Sequence, residues 1–137
     1  MTQCHEISRA KTSSRSSESV LVVDDEPLVR WSVKNCLVKA GFRVTTAESG
    51  EVAVDFLKSG DFRIVITDMR LPQMDGFEVA RAAKKTLGFV GVVMITAFAD
   101  DVPLSQLHNA GINCLVAKPF GLIELAELVK RLTSHTG

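Results

Sequence analysis

The stretch VLVVDDEPLVR, Val20 to Arg30, runs an apolar segment straight into three consecutive carboxylates, Asp24, Asp25 and Glu26, and a proline. Like charges this close repel, by about 4 kcal/mol for a pair ~4 Å apart at an effective dielectric near 20. A cation is the natural counterpart, and hard carboxylate oxygens suit Mg²⁺, which takes a few carboxylates and keeps several waters. Further along, Asp68 closes another apolar run, Thr96 closes a third, and Lys118 follows a fourth, just before Pro119. A carboxylate nucleophile, a divalent ion, a hydroxyl and a lysine in one pocket suit phosphoryl transfer to an aspartate. The metal and lysine would neutralise charge on the moving group, and the carboxylate would accept it.

Bringing these residues together is the task of the elements between them. Runs of strand length rich in β-branched residues occupy Val20 to Val23, Phe42 to Ala47, Phe62 to Thr67, Val90 to Thr96 and Asn113 to Ala117. Helical spacing fills the gaps. The first helix starts with Pro27 and ends at Gly41, with Val29, Val33, Cys36, Leu37 and Ala40 on one face; the second is capped by Ser49, carries Ala53, Phe56 and Leu57, and stops at Gly60. A third runs from about Asp75 to Leu87. A short fourth spans about Val102 to Ala110, with Asp100 or Asp101 as cap and Pro103 in its first turn. The fifth, Leu122 to Leu132, turns Leu122, Leu125, Val129 and Leu132 inward. Five strands alternating with five helices predict an α/β fold: a doubly wound, five-stranded parallel sheet with right-handed crossovers and helices on both faces. Sites in such sheets gather at the carboxyl ends of the strands, where Asp24, Asp25, Asp68, Thr96 and Lys118 all fall.

The chain has 137 residues, enough for one core. Sixteen basic against sixteen acidic residues leave no overall field to draw nucleic acid or an anionic membrane, so direct nucleic-acid binding is not expected. No apolar run approaches the roughly 20 residues of a membrane span. Cys4, Cys36 and Cys114 are odd in number and widely spaced, which predicts neither a disulfide framework nor a zinc site, and a cytoplasmic location is expected. His5, His108 and His135 share no metal spacing and are read as solvated. Residues 1–18, rich in Ser and Thr and poor in apolar side chains, read as a flexible leader to a domain spanning 19–137.

The pieces VLVVDDEP, IVITDMRLPQMDGFEV, VVMITAFAD and AKPF, in this order and spacing, resemble the receiver domain of two-component response regulators over about Ser19 to Thr133. The resemblance implies a flavodoxin-like strand order 2-1-3-4-5, with Asp68 as phospho-acceptor and Mg²⁺ held by Asp24, Asp25, Asp68 and the backbone carbonyl of Arg70. Thr96 and Lys118 would contact the phosphoryl group, and the Lys118–Pro119 bond would be cis. The donor would be a phosphohistidine on a sensor histidine kinase or phosphotransfer protein. The protein would then be a signalling phospho-acceptor rather than an enzyme. The first helix surface, where Trp31 falls, is often where the family meets its kinase. A downstream protein, or a second copy in a homodimer, would meet the surface of the fourth helix, fifth strand and fifth helix, with Leu115 a candidate exposed contact. The segment DDEPLVRWS is similar to receivers of enhancer-binding transcription activators. After the fifth helix only TSHTG remains, so the receiver either stands alone or comes from a longer regulator.

Two departures from the family pattern stand out. Leu115 replaces the aromatic residue whose rotation couples to the switch threonine, Thr96. Arg70 and Phe98, bulky and without a carboxylate or amide, occupy the positions that flank the path of the attacking water, which predicts slow self-dephosphorylation. Three rivals fit less well. A haloacid-dehalogenase-type phosphatase expects Asp-x-Asp rather than adjacent aspartates. A flavodoxin-like cofactor binder would need a Ser/Thr/Gly phosphate loop where carboxylates stand. The full set of Asp24, Asp25, Asp68, Thr96 and Lys118 argues against a degenerate receiver that binds partners without phosphorylation, while Leu115 argues for it.

Overall fold

In the computed structural model, described over residues 2–4 and 18–134, β-branched runs become strands and the capping and proline signals set the helix ends. In chain order the elements are β1 (Thr2–Cys4), β2 (Ser19–Val23), α1 (Pro27–Lys39), β3 (Arg43–Ala47), α2 (Gly50–Ser59), β4 (Ile64–Asp68), α3 (Gly76–Leu87), β5 (Gly91–Thr96), a one-turn 3₁₀ helix (Ala99–Asp101), α4 (Leu104–Ala110), β6 (Cys114–Ala117) and α5 (Leu122–Ser134). The sheet runs β3-β2-β4-β5-β6-β1, and β2 to β6 are parallel, in the expected order 2-1-3-4-5.

The five parallel strands gain an unexpected neighbour. Strand β1 pairs antiparallel with β6 at the sheet edge, Thr2 opposite Val116 and Cys4 opposite Cys114. It comes from the segment read as a leader, most of which, with His5, lies outside the described residues, as does His135. The cysteine spacing predicted no disulfide framework, yet Cys114 is disulfide-bonded, while Cys36 is free.

Two apolar layers flank the sheet. Leu21, Val23, Val65, Val92, Met94 and Leu115 meet α2, α3 and α4 on one face, while Val20, Val22, Ile64, Ile66, Val93 and Val116 meet α1 and α5 on the other. This alternation is the period-two pattern of strands buried on both sides. Leu115, expected at the surface, is 1% exposed within the first layer, so it belongs to the core. Phe56 and Leu122, expected inward, are partly exposed. Helix α4 also starts later than expected and takes Pro103 rather than an aspartate as its cap. The physical cause is steric: the residue before a proline is pushed out of the helical region, and Val102 is extended at φ −99° and ψ 114°.

Helix α3 begins with a reciprocal capping box. The Asp75 carboxylate accepts from the Glu78 N–H at 2.9 Å, and the Glu78 carboxylate accepts from the Asp75 N–H at 3.1 Å. The next residue, Gly76, donates its N–H to the Met69 carbonyl oxygen at 2.8 Å, and a Cβ there would overlap the carbonyl oxygen of Asp68. Asp75-Gly76 is thus a helix cap pressed against the end of β4. Gly76→Ala is expected to cost about 1–3 kcal/mol of unfolding free energy in urea titration, because the strand end must shift to admit the methyl group. An unchanged midpoint would show that the contact relaxes freely.

Candidate functional site

Parallel register brings the strand-end residues to one pole of the sheet. Val23 pairs with Thr67 and Asp68 with Ile95, which sets Asp24 and Asp25, immediately after β2, beside Asp68 at the tip of β4. One carboxylate oxygen from each of Asp24, Asp25 and Asp68 lies within 4.8 Å of the others. Asp24 and Asp68 are buried and Asp25 is exposed. The pocket therefore opens to solvent on the Asp25 side.

Lys118 arrives from the end of β6. Its backbone N–H donates to the Thr96 carbonyl oxygen at 2.8 Å, the Lys118–Pro119 peptide is cis as expected, and Nζ donates to Asp68 Oδ2 at 3.1 Å and lies 3.7 Å from Glu26 Oε1. Burial alone would lower the lysine pKa, but the hydrogen bond and charge of Asp68, with Asp24 and Glu26 behind it, raise it above the ordinary value. It stays a cation at neutral pH. Thr96 is buried, and its Oγ1 accepts from the Phe98 N–H at 2.9 Å, which ties the hydroxyl to the loop after β5. The Arg70 N–H approaches Asp68 Oδ1 at 3.4 Å, and the Arg70 guanidinium lies 4.4 Å from the Phe98 ring centroid, a cation–π contact at the rim.

Three contacts at the site were not foreseen from the sequence. The Glu26 N–H donates to Asp24 Oδ1 at 2.8 Å, Arg30 Nη1 donates to the Asp24 carbonyl oxygen at 2.7 Å, and Gly76 permits the close approach of α3. Arg30 and Glu26 belong to the quoted DDEPLVR stretch. Their proximity in sequence was a usable signal, but the direction of their contacts was not legible.

Burial pushes the Asp24 carboxyl from 3.8 up to about 6, aided by the charges of Asp68 and Glu26 and opposed by the Glu26 N–H and Lys118. A carboxylate held at such a cost, beside two more, is short of positive charge. The set fits Mg²⁺: hard oxygens only, clustered on one side, with an open side for waters.

Residues 20–130 match the response regulator receiver domain family. The chain belongs to that family. It is 36% identical over 116 residues to chemotaxis protein CheY-3 of Vibrio cholerae, covering 82% of this chain and 89% of that protein. It is 32% identical over 114 residues to the DNA-binding transcriptional regulator NtrC of Klebsiella pneumoniae, covering 83% of this chain but spanning only 24% of that relative. Among solved structures, a CheY-like receiver domain from Methanospirillum hungatei superposes with a TM-score of 0.80 at 25% identity, over 88% of this chain and 97% of that one. Response regulator TrrA of Thermotoga maritima, solved in complex with Mg²⁺-BeF, gives 0.74 at 35% identity, over 84% and 98%. This receiver domain is thus of the CheY and NtrC kind, a signalling phospho-acceptor class that works with histidine kinases or phosphotransfer proteins. No helix among the described residues is long and apolar enough to cross a membrane.

The Asp24 shift sets a pH dependence for the metal-free protein. Between pH 3.8 and about 6 the folded state binds a proton at Asp24 that the unfolded chain has lost, so stability falls as pH rises through that window. Asp24→Asn keeps an oxygen for the Glu26 N–H and removes the charge. Thermal melts without metal at pH 7.5 should place this variant above the wild type by about 1 kcal/mol or more, and millimolar Mg²⁺ should raise the wild-type melting temperature but not the variant's.

Proposed function

We propose that Asp68 accepts a phosphoryl group from phosphohistidine on a sensor histidine kinase or phosphotransfer protein. The observation that carries this reading is the convergence of three carboxylates within 4.8 Å, with Lys118 hydrogen-bonded to that of Asp68 at 3.1 Å. A carboxylate oxygen of Asp68 forms the new P–O bond while the donor's N–P bond breaks, and the electron pair leaves with the imidazole. Lys118, already on Asp68, follows the charge onto the phosphoryl oxygens, and Thr96 donates its hydroxyl to one of them on release from the loop. Asp24, Asp25, Asp68 and the Arg70 carbonyl oxygen would hold Mg²⁺, which supplies charge neutralisation when bound.

Arg70 and Phe98 support a long-lived phosphoryl group. The pair, in cation–π contact, offers no carboxylate or amide to orient water. The surface for a partner follows from exposed apolar side chains. Leu104 on α4 and Leu122 and Ile123 on α5 are exposed, and these replace Leu115 as contacts for a downstream protein or a second copy. Leu28 and Trp31 on α1 are exposed and suit the phosphodonor. We read residues 19–137 as the receiver unit and the cytoplasm as its location.

Intact mass after incubation with Mg²⁺ and acetyl phosphate tests the reading. The wild type should gain one phosphoryl group, and the gain should vanish without Mg²⁺ and in Asp68→Ala. A gain that survives Asp68→Ala would remove Asp68 from its role. Replacing Arg70 with Asn and Phe98 with Glu together should speed loss of the group by roughly tenfold or more, followed by the decay of the phosphorylated mass after donor removal. An unchanged decay would reject the shielding role.

A further inference from the structure

Arg30 lies in the first turn of α1 and reaches back to the acidic turn before it. Its Nη1 donates to the Asp24 carbonyl oxygen at 2.7 Å, and its backbone N–H donates to the Glu26 carbonyl oxygen at 3.0 Å. One residue thus holds both neighbours of Asp25. Among the described residues Arg30 forms no ion pair, although three carboxylates converge close by. We propose that Arg30 is a positioning residue for the divalent cation: it fixes the Asp24–Glu26 turn so that the Asp24 and Asp25 carboxylates meet Asp68, while its own charge rests on a carbonyl and leaves those carboxylates open. The inference rests on the reading of the pocket as a Mg²⁺ site.

Asp24 is anchored at three points. Its N–H donates to the Ala47 carbonyl oxygen at 3.1 Å, its Oδ1 accepts from the Glu26 N–H at 2.8 Å, and its carbonyl oxygen accepts from Arg30. No backbone N–H among the described residues reaches that carbonyl oxygen. Strand β3 ends at Ala47, and the residue three positions on, where a tight turn would find its donor, is Pro27, which has no N–H. Asp24 is buried, and a buried carbonyl left without a donor is costly. Without the guanidinium the turn would have to shift until water reached the oxygen. The 2.7 Å separation is that of a charge-assisted hydrogen bond, which a neutral donor would match only weakly. Mg²⁺ makes such a shift matter, because it demands near-ideal octahedral geometry from its oxygen ligands.

Charge and position act in opposite directions here. A guanidinium beside the pocket repels a divalent cation, so charge alone predicts tighter Mg²⁺ binding once Arg30 is removed. The positioning role predicts weaker binding. The sign of the change therefore separates the two.

The test uses the full chain without a phosphodonor, as wild type, Arg30→Ala and Arg30→Lys. Residue-resolved amide NMR follows a MgCl₂ titration, and amide hydrogen exchange is measured on the metal-free proteins. Arg30→Ala should raise the Kd for Mg²⁺ by about tenfold, the loss typical when a partner behind a metal ligand is removed. It should also speed exchange of the Glu26 amide by roughly tenfold, while amides of β4 and α5 keep their protection. Arg30→Lys, which keeps a cationic donor, should recover part of the affinity. Binding by Arg30→Ala as tight as the wild type's, or tighter, overturns the positioning role, and so does unchanged exchange at Glu26. Faster exchange spread over the whole sheet overturns it too, since Arg30 would then be a general prop of the fold. A wild type that ignores MgCl₂ overturns the metal reading itself, an outcome distinct from failure of Arg30 alone, in which the wild type still binds.

Discussion

The crowding of Asp24, Asp25 and Asp68 at one pole of the sheet is the constraint to which the surrounding structure answers. Buried like charges raise one another's cost of ionisation, and the Asp24 carboxyl registers this directly. The neighbours reduce the cost without removing it. The Glu26 N–H caps one oxygen of Asp24 and Lys118 holds one oxygen of Asp68. The remaining deficit is what suits the pocket to a divalent cation. A fully neutralised pocket would be more stable and would have nothing to offer a ligand.

The opposite pole carries the reverse arrangement. At the amino ends of β4 and β5, Arg63 is 1% exposed and Lys84 donates to the Val90 carbonyl oxygen at 2.6 Å and to Asn113 Oδ1 at 3.1 Å. Burial, with Arg63 nearby, lowers the Lys84 pKa to about 8. Cations thus gather where strands begin and carboxylates where they end. The apolar layers between the poles keep the two sets apart, and no pattern in the sequence marked Arg63 as buried or Lys84 as half-buried.

The packing also places Leu115. On β6 its side chain faces the α2, α3 and α4 layer and touches no solvent, so any movement of α4 must be accommodated around a fixed aliphatic core residue. Exposed Leu104, Leu122 and Ile123 lie outside that layer, where they leave the core undisturbed.

Most of the fold was legible because its signals are local. β-Branched runs, Ser49, Pro27 and the terminal glycines each act within a turn or two of chain, and five of them in alternation admit few topologies. The site residues were legible for the same reason: each closes a strand, and parallel strands end at one pole. What the sequence could not state depends on separations of many residues. The meeting of Thr2–Cys4 with β6, the bridge at Cys114, the burial of Leu115 and Arg63, and the approach of Gly76 to Asp68 follow from register and from which face a strand turns to the core. Those choices are made by the packing of the whole sheet, where a shift of one residue reverses every side chain, and only the tertiary structure settles them.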